Sequence, residues 1–373
     1  MNIRVLAVDD TVVFRKIVSE ALAAIPGVEV VGTANNGRTA MAKLLALRPD
    51  LLTLDLEMPE MSGLEVLDAI REKKLGVGVI VLSSITLKGS EATLRALEKG
   101  AFDFVTKPVD GTLDENRERL RQRLDPLIKA FARRHEIKSI LKGAAPAAGA
   151  SPAGPRGAAK PAAPLDDVSR RMKHLANRTK ASLLLIGVST GGPNALAVVL
   201  PQLPADLGVP VLIVQHMPPV FTQSLAASLN AKCAIRVKEA QDGELALPNV
   251  AYIAPGGKQM KLAGGPNGDK VIRITDDPPE NNCRPAVDYL FRSVSLHFPG
   301  QAAAVIMTGM GSDGTLGLKL LKRSPCYVIA QDEASCVVFG MPKEAIAAGV
   351  VDVVVSVEKI ADEIRQATRG PGA

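Results

Sequence analysis

Two sets of side chains in this 373-residue chain have the types and spacing that chemistry requires. The first is Gly187-Val188-Ser189-Thr190-Gly191-Gly192, which follows the run SLLLI and precedes a helical pattern. It fits Gly-x-Ser-x-Gly in a strand–turn–helix context, where flanking glycines permit the sharp turn that pushes a serine hydroxyl outward. Amides at the start of the next helix can meet an oxyanion. A phosphate-binding turn is the competing reading, but the run is not G-x-G-x-x-G and no P-loop lysine follows. A serine nucleophile needs a base. Of the four histidines, His135 and His174 flank an Ala/Pro tract and His297 lies in the helical pattern Pro285–Phe298. His216, at the end of VLIVQ, is the better base. Asp313 (after AAAVIMTGMGS) and Asp332 (after YVIAQ) both end apolar runs, so position alone does not separate them as the orienting acid. The order Ser…His…Asp differs from that of the α/β-hydrolases and disfavours that fold.

The second set is acidic. Asp9-Asp10 closes one apolar run and Asp55 another (LLTLDLEMPEMSGLE), while Ser83-Ser84 and Thr106-Lys107-Pro108 close two more. Three carboxylates brought together repel one another and need a cation, and oxygen-only donors suit Mg²⁺. A lysine beside them can neutralise a phosphoryl group, and a serine hydroxyl can hydrogen-bond it. Helix capping by Asp9-Asp10 and a turn at Asp55 would account for part of this pattern, but not for Lys107-Pro108.

The elements that position both sets follow from periodicity. Strands are predicted at Ile3–Val8, Val28–Ala34, Leu51–Leu54, Val79–Leu82 and Asp103–Thr106, with helical patterns such as Thr11–Ala24 and Arg38–Leu47 between them. Five βα units imply a doubly wound parallel sheet covered by helices on both faces. Sites in such sheets form at the carboxyl ends of strands. The C-terminal part repeats this grammar at Leu183–Gly187, Pro210–Gln215, Ala302–Met307 and Tyr327–Ala330. Val250–Thr275, turning on GGPNGD, is predicted to be an antiparallel hairpin inserted into a second doubly wound α/β domain.

Between the two lies a tract, Gly143–Pro164, in which 19 of 22 residues are Ala, Pro or Gly. Five prolines there deny a helix and predict an extended linker. Glu115–Lys142 before it and Asp166–Arg178 after it are predicted to be helical. The partition is 1–120, a basic helix and linker over 121–180, and 181–373. Residues 117–180 carry 16 Lys+Arg against 5 Asp+Glu (+11), and the rest carry 29 against 34 (−5), so the net +6 is local. A basic segment invites a DNA-binding reading, but no helix-turn-helix candidate accompanies it. No run of about 18 uncharged apolar residues is present, and the N-terminus lacks the pattern of a signal peptide. Cys233, Cys283, Cys326 and Cys336 are scattered, as in a reducing cytoplasm rather than a disulfide framework.

The segments VDD…LDLEMPEMSGLE…SS…TKP resemble the receiver domain of two-component response regulators. The resemblance implies Asp55 as phospho-acceptor and Asp9, Asp10, Asp55 and the Glu57 backbone carbonyl as Mg²⁺ ligands. It also implies Ser83 and Lys107 as phosphoryl contacts and Phe104 as the aromatic switch. The second half resembles the catalytic domain of the chemotaxis protein-glutamate methylesterases through IGVSTGGP, VQHMPPVFTQSLA, VKEAQDGE, AYIAPGG, RPAVDYLF, MTGMGSDG and AQDEASCVVFGMPKEAI. That resemblance implies Ser189 as nucleophile, His216 as base and Asp313 rather than Asp332 as orienting acid. Thr190, Gly191, Met310 and Arg284 would lie in the oxyanion and substrate vicinity. The implied activity is demethylation of γ-glutamyl methyl esters on methyl-accepting chemoreceptors, with deamidation of receptor glutamines. Hydrolysis itself would need no cofactor, and a chemotaxis histidine kinase would supply the phosphoryl group. A catalytically silent receptor-binding scaffold and a DNA-binding regulator are the alternatives. Two departures stand out: Cys283, where a histidine is expected before Arg-Pro, and the length of the linker.

Overall fold

The computed structural model describes residues 2–143 and 180–369. The Ala/Pro/Gly tract beyond Gly143, the helix expected at Asp166–Arg178 and His174 lie outside the described residues. The first sheet contains β1 (Ile3–Val8), β2 (Val28–Ala34), β3 (Leu51–Asp55), β4 (Gly78–Ser83) and β5 (Asp103–Thr106), in the order β2-β1-β3-β4-β5. Every pairing in it is parallel. Strand β3 is buried along its whole length and β1 and β4 nearly so, as expected where helices cover both faces. The connecting helices are α1 (Val12–Ala23), α2 (Gly37–Leu47), α3 (Gly63–Glu72) and α4 (Leu87–Glu98), with α5 (Leu113–Gly143) closing the unit. Their starts are encoded locally. Asn36 and Thr86 accept from the amides of Thr39 and Gly89, and Ser62 forms a reciprocal capping box with Glu65. On α5, Leu120, Leu124, Leu127, Ile128 and Phe131 present a buried stripe at helical spacing.

The second sheet contains β6 (Leu183–Val188), β7 (Val211–Gln215), β8 (Arg236–Glu239), β9 (Val250–Ile253), β12 (Ala302–Ile306), β13 (Tyr327–Gln331) and β14 (Val353–Val355). The order is β14-β13-β12-β6-β7-β9-β8, again all parallel. A separate antiparallel hairpin pairs β10 (Gln259–Gly264) with β11 (Lys270–Thr275). This corrects the expected hairpin Val250–Thr275, because Val250–Ile253 instead lies between β7 and β8 in the main sheet. Alternation over four residues cannot tell a hairpin arm from a buried parallel strand, and Ala251–Ile253 is buried. The edge strands β8 and β14 were not predicted; each is short, and β8 carries Arg236, Lys238 and Glu239. The helices are α6 (Gly192–Val199), α7 (Phe221–Asn230), α8 (Val287–His297), α9 (Thr315–Leu321), α10 (Met341–Ala347) and α11 (Ile360–Arg369).

The two α/β units meet where α4 and β5 pack on α7 and the start of α6. Phe104 stacks on Phe221 with ring centroids 4.9 Å apart, and Ser90 Oγ lies 2.7 Å from Ser224 Oγ in a buried contact. Glu98 pairs with Lys232 at 2.5 Å and accepts from Ser228 at 2.7 Å. Among the described residues, no helix is long and apolar enough to cross a membrane.

Candidate active site

Strands β12, β6 and β7 are neighbours, and the chain leaves β6 for β7 on one side and reaches β12 on the other. A reversal of this kind opens a crevice at the carboxyl edge of an α/β sheet. Ser189 follows β6, His216 follows β7 and Asp313 lies in the loop after β12. The strand order therefore separates the two candidate acids. Asp332 follows β13, one strand further out, and caps a local turn by accepting from the Ser335 amide and hydroxyl.

The serine turn depends on glycine. Gly191 has φ +73°, and a Cβ there would come within 2.4 Å of Val337. Ser189 Oγ lies 3.1 Å from His216 Nδ1, and His216 Nε2 lies 2.7 Å from Asp313 Oδ2. Asp313 is held from every side. Oδ2 also accepts from the Val287 amide at 2.7 Å, while Oδ1 accepts from Asn281 Nδ2 at 2.8 Å and from the amides of Asp288 and Gly314 at 3.0 Å. Burial alone would raise the Asp313 pKa, but His216 and these amides outweigh it and hold the carboxyl below its usual range. Burial would likewise lower the His216 pKa, yet hydrogen bonding to Asp313 and then to Cys283 raises it. With Nε2–H committed to Asp313, Nδ1 presents its lone pair to the serine.

Of the neighbours expected around the oxyanion, Thr190 is fixed through its carbonyl by Thr308 Oγ1 at 2.9 Å, and the Gly191 amide starts α6. Met310 is exposed beside the Gly309–Gly311 turn. Arg284 is exposed, and its guanidinium reaches the Asp276 carbonyl at 3.5 Å. Cys283 Sγ lies 3.6 Å from His216 Nδ1. His297 is exposed at the end of α8, in keeping with a histidine that takes no part.

Sequence reasoning missed three residues that position the site. Gln215 Nε2 donates to the carbonyls of both Ser189 (3.0 Å) and His216 (3.1 Å), tying the two turns together. Asn281 bridges Asp313 and the buried Asp288. Asp103, from the first domain, accepts from the Gly191 amide at 3.3 Å and is fully enclosed, which pushes its pKa up to about 7. Gln215 borders His216 in sequence, which was a usable signal; Asp103 and Asn281 offered none.

In the first domain, Asp9, Asp10 and Asp55 bring carboxylate oxygens within 4.8 Å of one another at the ends of β1 and β3. Lys107 Nζ lies 2.7 Å from both Asp9 Oδ2 and Asp55 Oδ2. Burial, aided by the neighbouring Asp9, raises the Asp55 pKa despite Lys107. Asp9 Oδ2 is buried, with the Lys107 ammonium beside it. Three clustered carboxylates, an all-oxygen donor set with more negative charge than Lys107 offsets, fit Mg²⁺. Gly63 lets α3 begin against this edge, since a Cβ there would lie 2.3 Å from the Asp55 carbonyl. The Glu57 amide faces Asp55 Oδ1 at 3.4 Å. Ser83 Oγ is turned to α4, donating to Gly89 O at 3.2 Å and accepting from Thr93 Oγ1 at 2.6 Å.

A chain with an acidic acceptor cluster on one parallel sheet and a Ser-His-Asp constellation on another has the form of a response regulator with a hydrolase output. Residues 5–121 match the response regulator receiver domain and residues 184–364 the CheB methylesterase family. A protein-glutamate methylesterase/protein-glutamine glutaminase of Desulfotalea psychrophila is 51% identical over 97% of this chain and 98% of its own length. Proteins of the same name from Halalkalibacterium halodurans (99% of each chain) and Bacillus subtilis (97% of each) are 46% and 43% identical. The chain belongs to the CheB methylesterase family.

Proposed function

We propose that this chain is a phosphorylation-activated protein-glutamate methylesterase and protein-glutamine glutaminase acting on methyl-accepting chemoreceptors. The observation that carries the reading is the continuous line from Ser189 Oγ through His216 to Asp313 on three neighbouring strands. Ser189 Oγ attacks the γ-carbonyl carbon of a glutamyl methyl ester while His216 Nδ1 takes its proton. Asp313 stabilises the resulting imidazolium and fixes the ring. The amides near Thr190 and the Gly309–Gly311 turn meet the developing oxyanion. The carbon–methoxyl bond then breaks, His216 returns the proton to the leaving oxygen, and methanol departs. A water that gives its proton to Nδ1 attacks the acyl-serine, freeing the glutamate carboxylate and restoring Ser189. With a glutamine substrate, ammonia takes the place of methanol.

Residues 1–120 act as the receiver, 121–180 as a connecting segment and 181–373 as the hydrolase, working in the cytoplasm. Asp55 accepts a phosphoryl group from a histidine kinase. Asp9, Asp10, Asp55 and the Glu57 carbonyl would hold Mg²⁺, which when bound neutralises phosphoryl charge. Lys107 is already at hand, whereas Ser83 must leave Gly89 and Thr93 to reach the phosphoryl oxygens. That movement pulls on α4, and with Phe104 it loosens the face packed on α7. Methanol release from methylated receptor, with and without Mg²⁺ and acetyl phosphate, tests the reading in the wild type and Ser189→Ala. Release that requires Ser189 and rises with the phosphodonor is expected; none from the wild type would overturn it.

A further inference from the structure

Cys283 is not used by the ester chemistry, yet its sulfur faces the same ring nitrogen as the nucleophile. We propose that Cys283 Sγ, His216 Nδ1 and Ser189 Oγ form a binding site for a soft divalent cation of the Zn²⁺ type, whose occupancy blocks the hydrolase. Sγ is 3.6 Å from Nδ1. A tetrahedral Zn²⁺ with Zn–S of about 2.3 Å and Zn–N of about 2.0–2.1 Å spaces its sulfur and nitrogen donors about 3.6 Å apart. Ser189 Oγ, 3.1 Å from Nδ1, is close to the separation of about 3.4 Å that an oxygen donor would take. All three residues are partly open to solvent, which leaves a route in and a fourth position for water.

The surroundings favour ligation. A metal-bound histidine characteristically gives its other ring N–H to a carboxylate, which fixes the tautomer and strengthens the donor. Asp313 takes the Nε2 proton at 2.7 Å and is itself anchored by Asn281 and three amides. Asp313 bonds the other ring nitrogen, Nε2, and its carboxylate lies within 4.8 Å of Cys283 Sγ and His216, so it supports the ligand from beside the site. Zinc with sulfur and imidazole donors is the combination expected of such a set, whereas the oxygen-only cluster of Asp9, Asp10 and Asp55 selects a hard ion. Among the described residues the other three cysteines belong to no cluster of three or more metal-ligating side chains, and burial pushes Cys233 up to about 11 and Cys326 and Cys336 up to about 12. Binding displaces the thiol proton to solvent and involves no change of oxidation state.

The inhibitory half of this proposal rests on the hydrolase reading; the binding half does not. Full-length protein is titrated with Co²⁺ as a coloured stand-in, in excess Mg²⁺ to fill the acidic cluster, followed by Zn²⁺. A thiolate-to-cobalt charge-transfer band is expected in the wild type, displaced by one equivalent of Zn²⁺ and lost in both Cys283→Ala and Cys283→Ser. Zinc inhibition of methanol release, referred to each variant's own metal-free rate, should weaken at least about tenfold in both. A band that persists without Cys283, no band in the wild type, or equal zinc sensitivity in all three proteins would overturn the site. A normal cobalt band in a wild type that releases no methanol would instead condemn the hydrolase reading. The Ser variant keeps the shape of the side chain, so failure of Cys283→Ala to fold leaves the test intact.

Discussion

Asp55 and Asp313 are the same residue in the same kind of place, a buried carboxylate at the carboxyl edge of a parallel sheet beside a basic side chain. Their ionisation is driven in opposite directions. Asp313 has five N–H donors around its two oxygens and is held in the charged form. Asp55 has Lys107 and one long amide contact, while burial and the nearby Asp9 push it toward the neutral form. One site is complete and preorganised, which is what stabilising a transient imidazolium requires. The other is left unsatisfied until a cation and a phosphoryl group complete it, which is what a switch requires.

Replacing each aspartate by asparagine tests this contrast most severely. Asp313→Asn should lower the rate of methanol release about 10⁴-fold, because the wrong tautomer of His216 is then favoured. It should also cost about 1–3 kcal/mol of stability, since an amide NH₂ would face buried N–H groups. Asp55→Asn should leave hydrolysis without phosphodonor near the wild-type rate and abolish stimulation by acetyl phosphate. Its melting temperature should not fall, because a charge that burial disfavours has been removed. Equal melting losses in the two variants, or phosphodonor stimulation surviving in Asp55→Asn, would erase the distinction.

A smaller effect concerns pH. Asp313 and Cys283 raise the His216 pKa above the 6.5 of a free imidazole. Below its pKa the ring carries a proton and cannot accept one from Ser189. The rate should therefore fall as pH falls, with the acidic limb of kcat/KM lying above 6.5. Cys283→Ala should move that limb to lower pH. A limb below 6.5 in the wild type would contradict the geometry. The same pair bears on stability: the His216 contribution is present below pH 6.5 and is lost as pH rises through its folded pKa. The Asp313 contribution is present above the ordinary carboxyl pKa and is lost as pH falls through its lowered value.

How much of this could be read in the sequence follows the reach of each interaction. The five strands of the first sheet and the Ser189 turn were legible because apolar runs and glycine spacing are local. His216 could be chosen because few histidines compete. Asp313 and Asp332 were indistinguishable because both end apolar runs; only the strand order, a global property, places one beside β6 and the other beyond β12. Strand β9 was misread because alternation over four residues fits a hairpin arm and a buried parallel strand equally. Asn281 and Asp103 act through hydrogen bonds to segments distant in sequence, where a pattern search has nothing to detect, whereas Gln215 was marked only by its place next to His216.

Asp103 also carries the mildest prediction, because it joins the two regions being contrasted. Its carboxylate reaches from β5 to the amide of Gly191, two residues past the nucleophile, from within a closed interface. Removing that acceptor in Asp103→Ala frees the start of α6, so hydrolysis without phosphodonor should rise a few-fold and the stimulation ratio should shrink. The sign of its pH dependence is fixed by burial. With a folded pKa of about 7, well above its ordinary value, the group favours the docked form while protonated and opposes it once ionised. Docking should therefore weaken as pH rises from the ordinary carboxyl range to about 7, and level off above that. Because the His216 limb moves activity in the same direction, the measurement must be hydrogen-exchange protection of the segment around Gly191, corrected for intrinsic exchange. Protection should fall across that interval in the wild type and stay level in Asp103→Asn, whose amide oxygen still accepts from Gly191 without ever ionising. Parallel loss of protection in both proteins would show that some other group governs the contact between receiver and hydrolase.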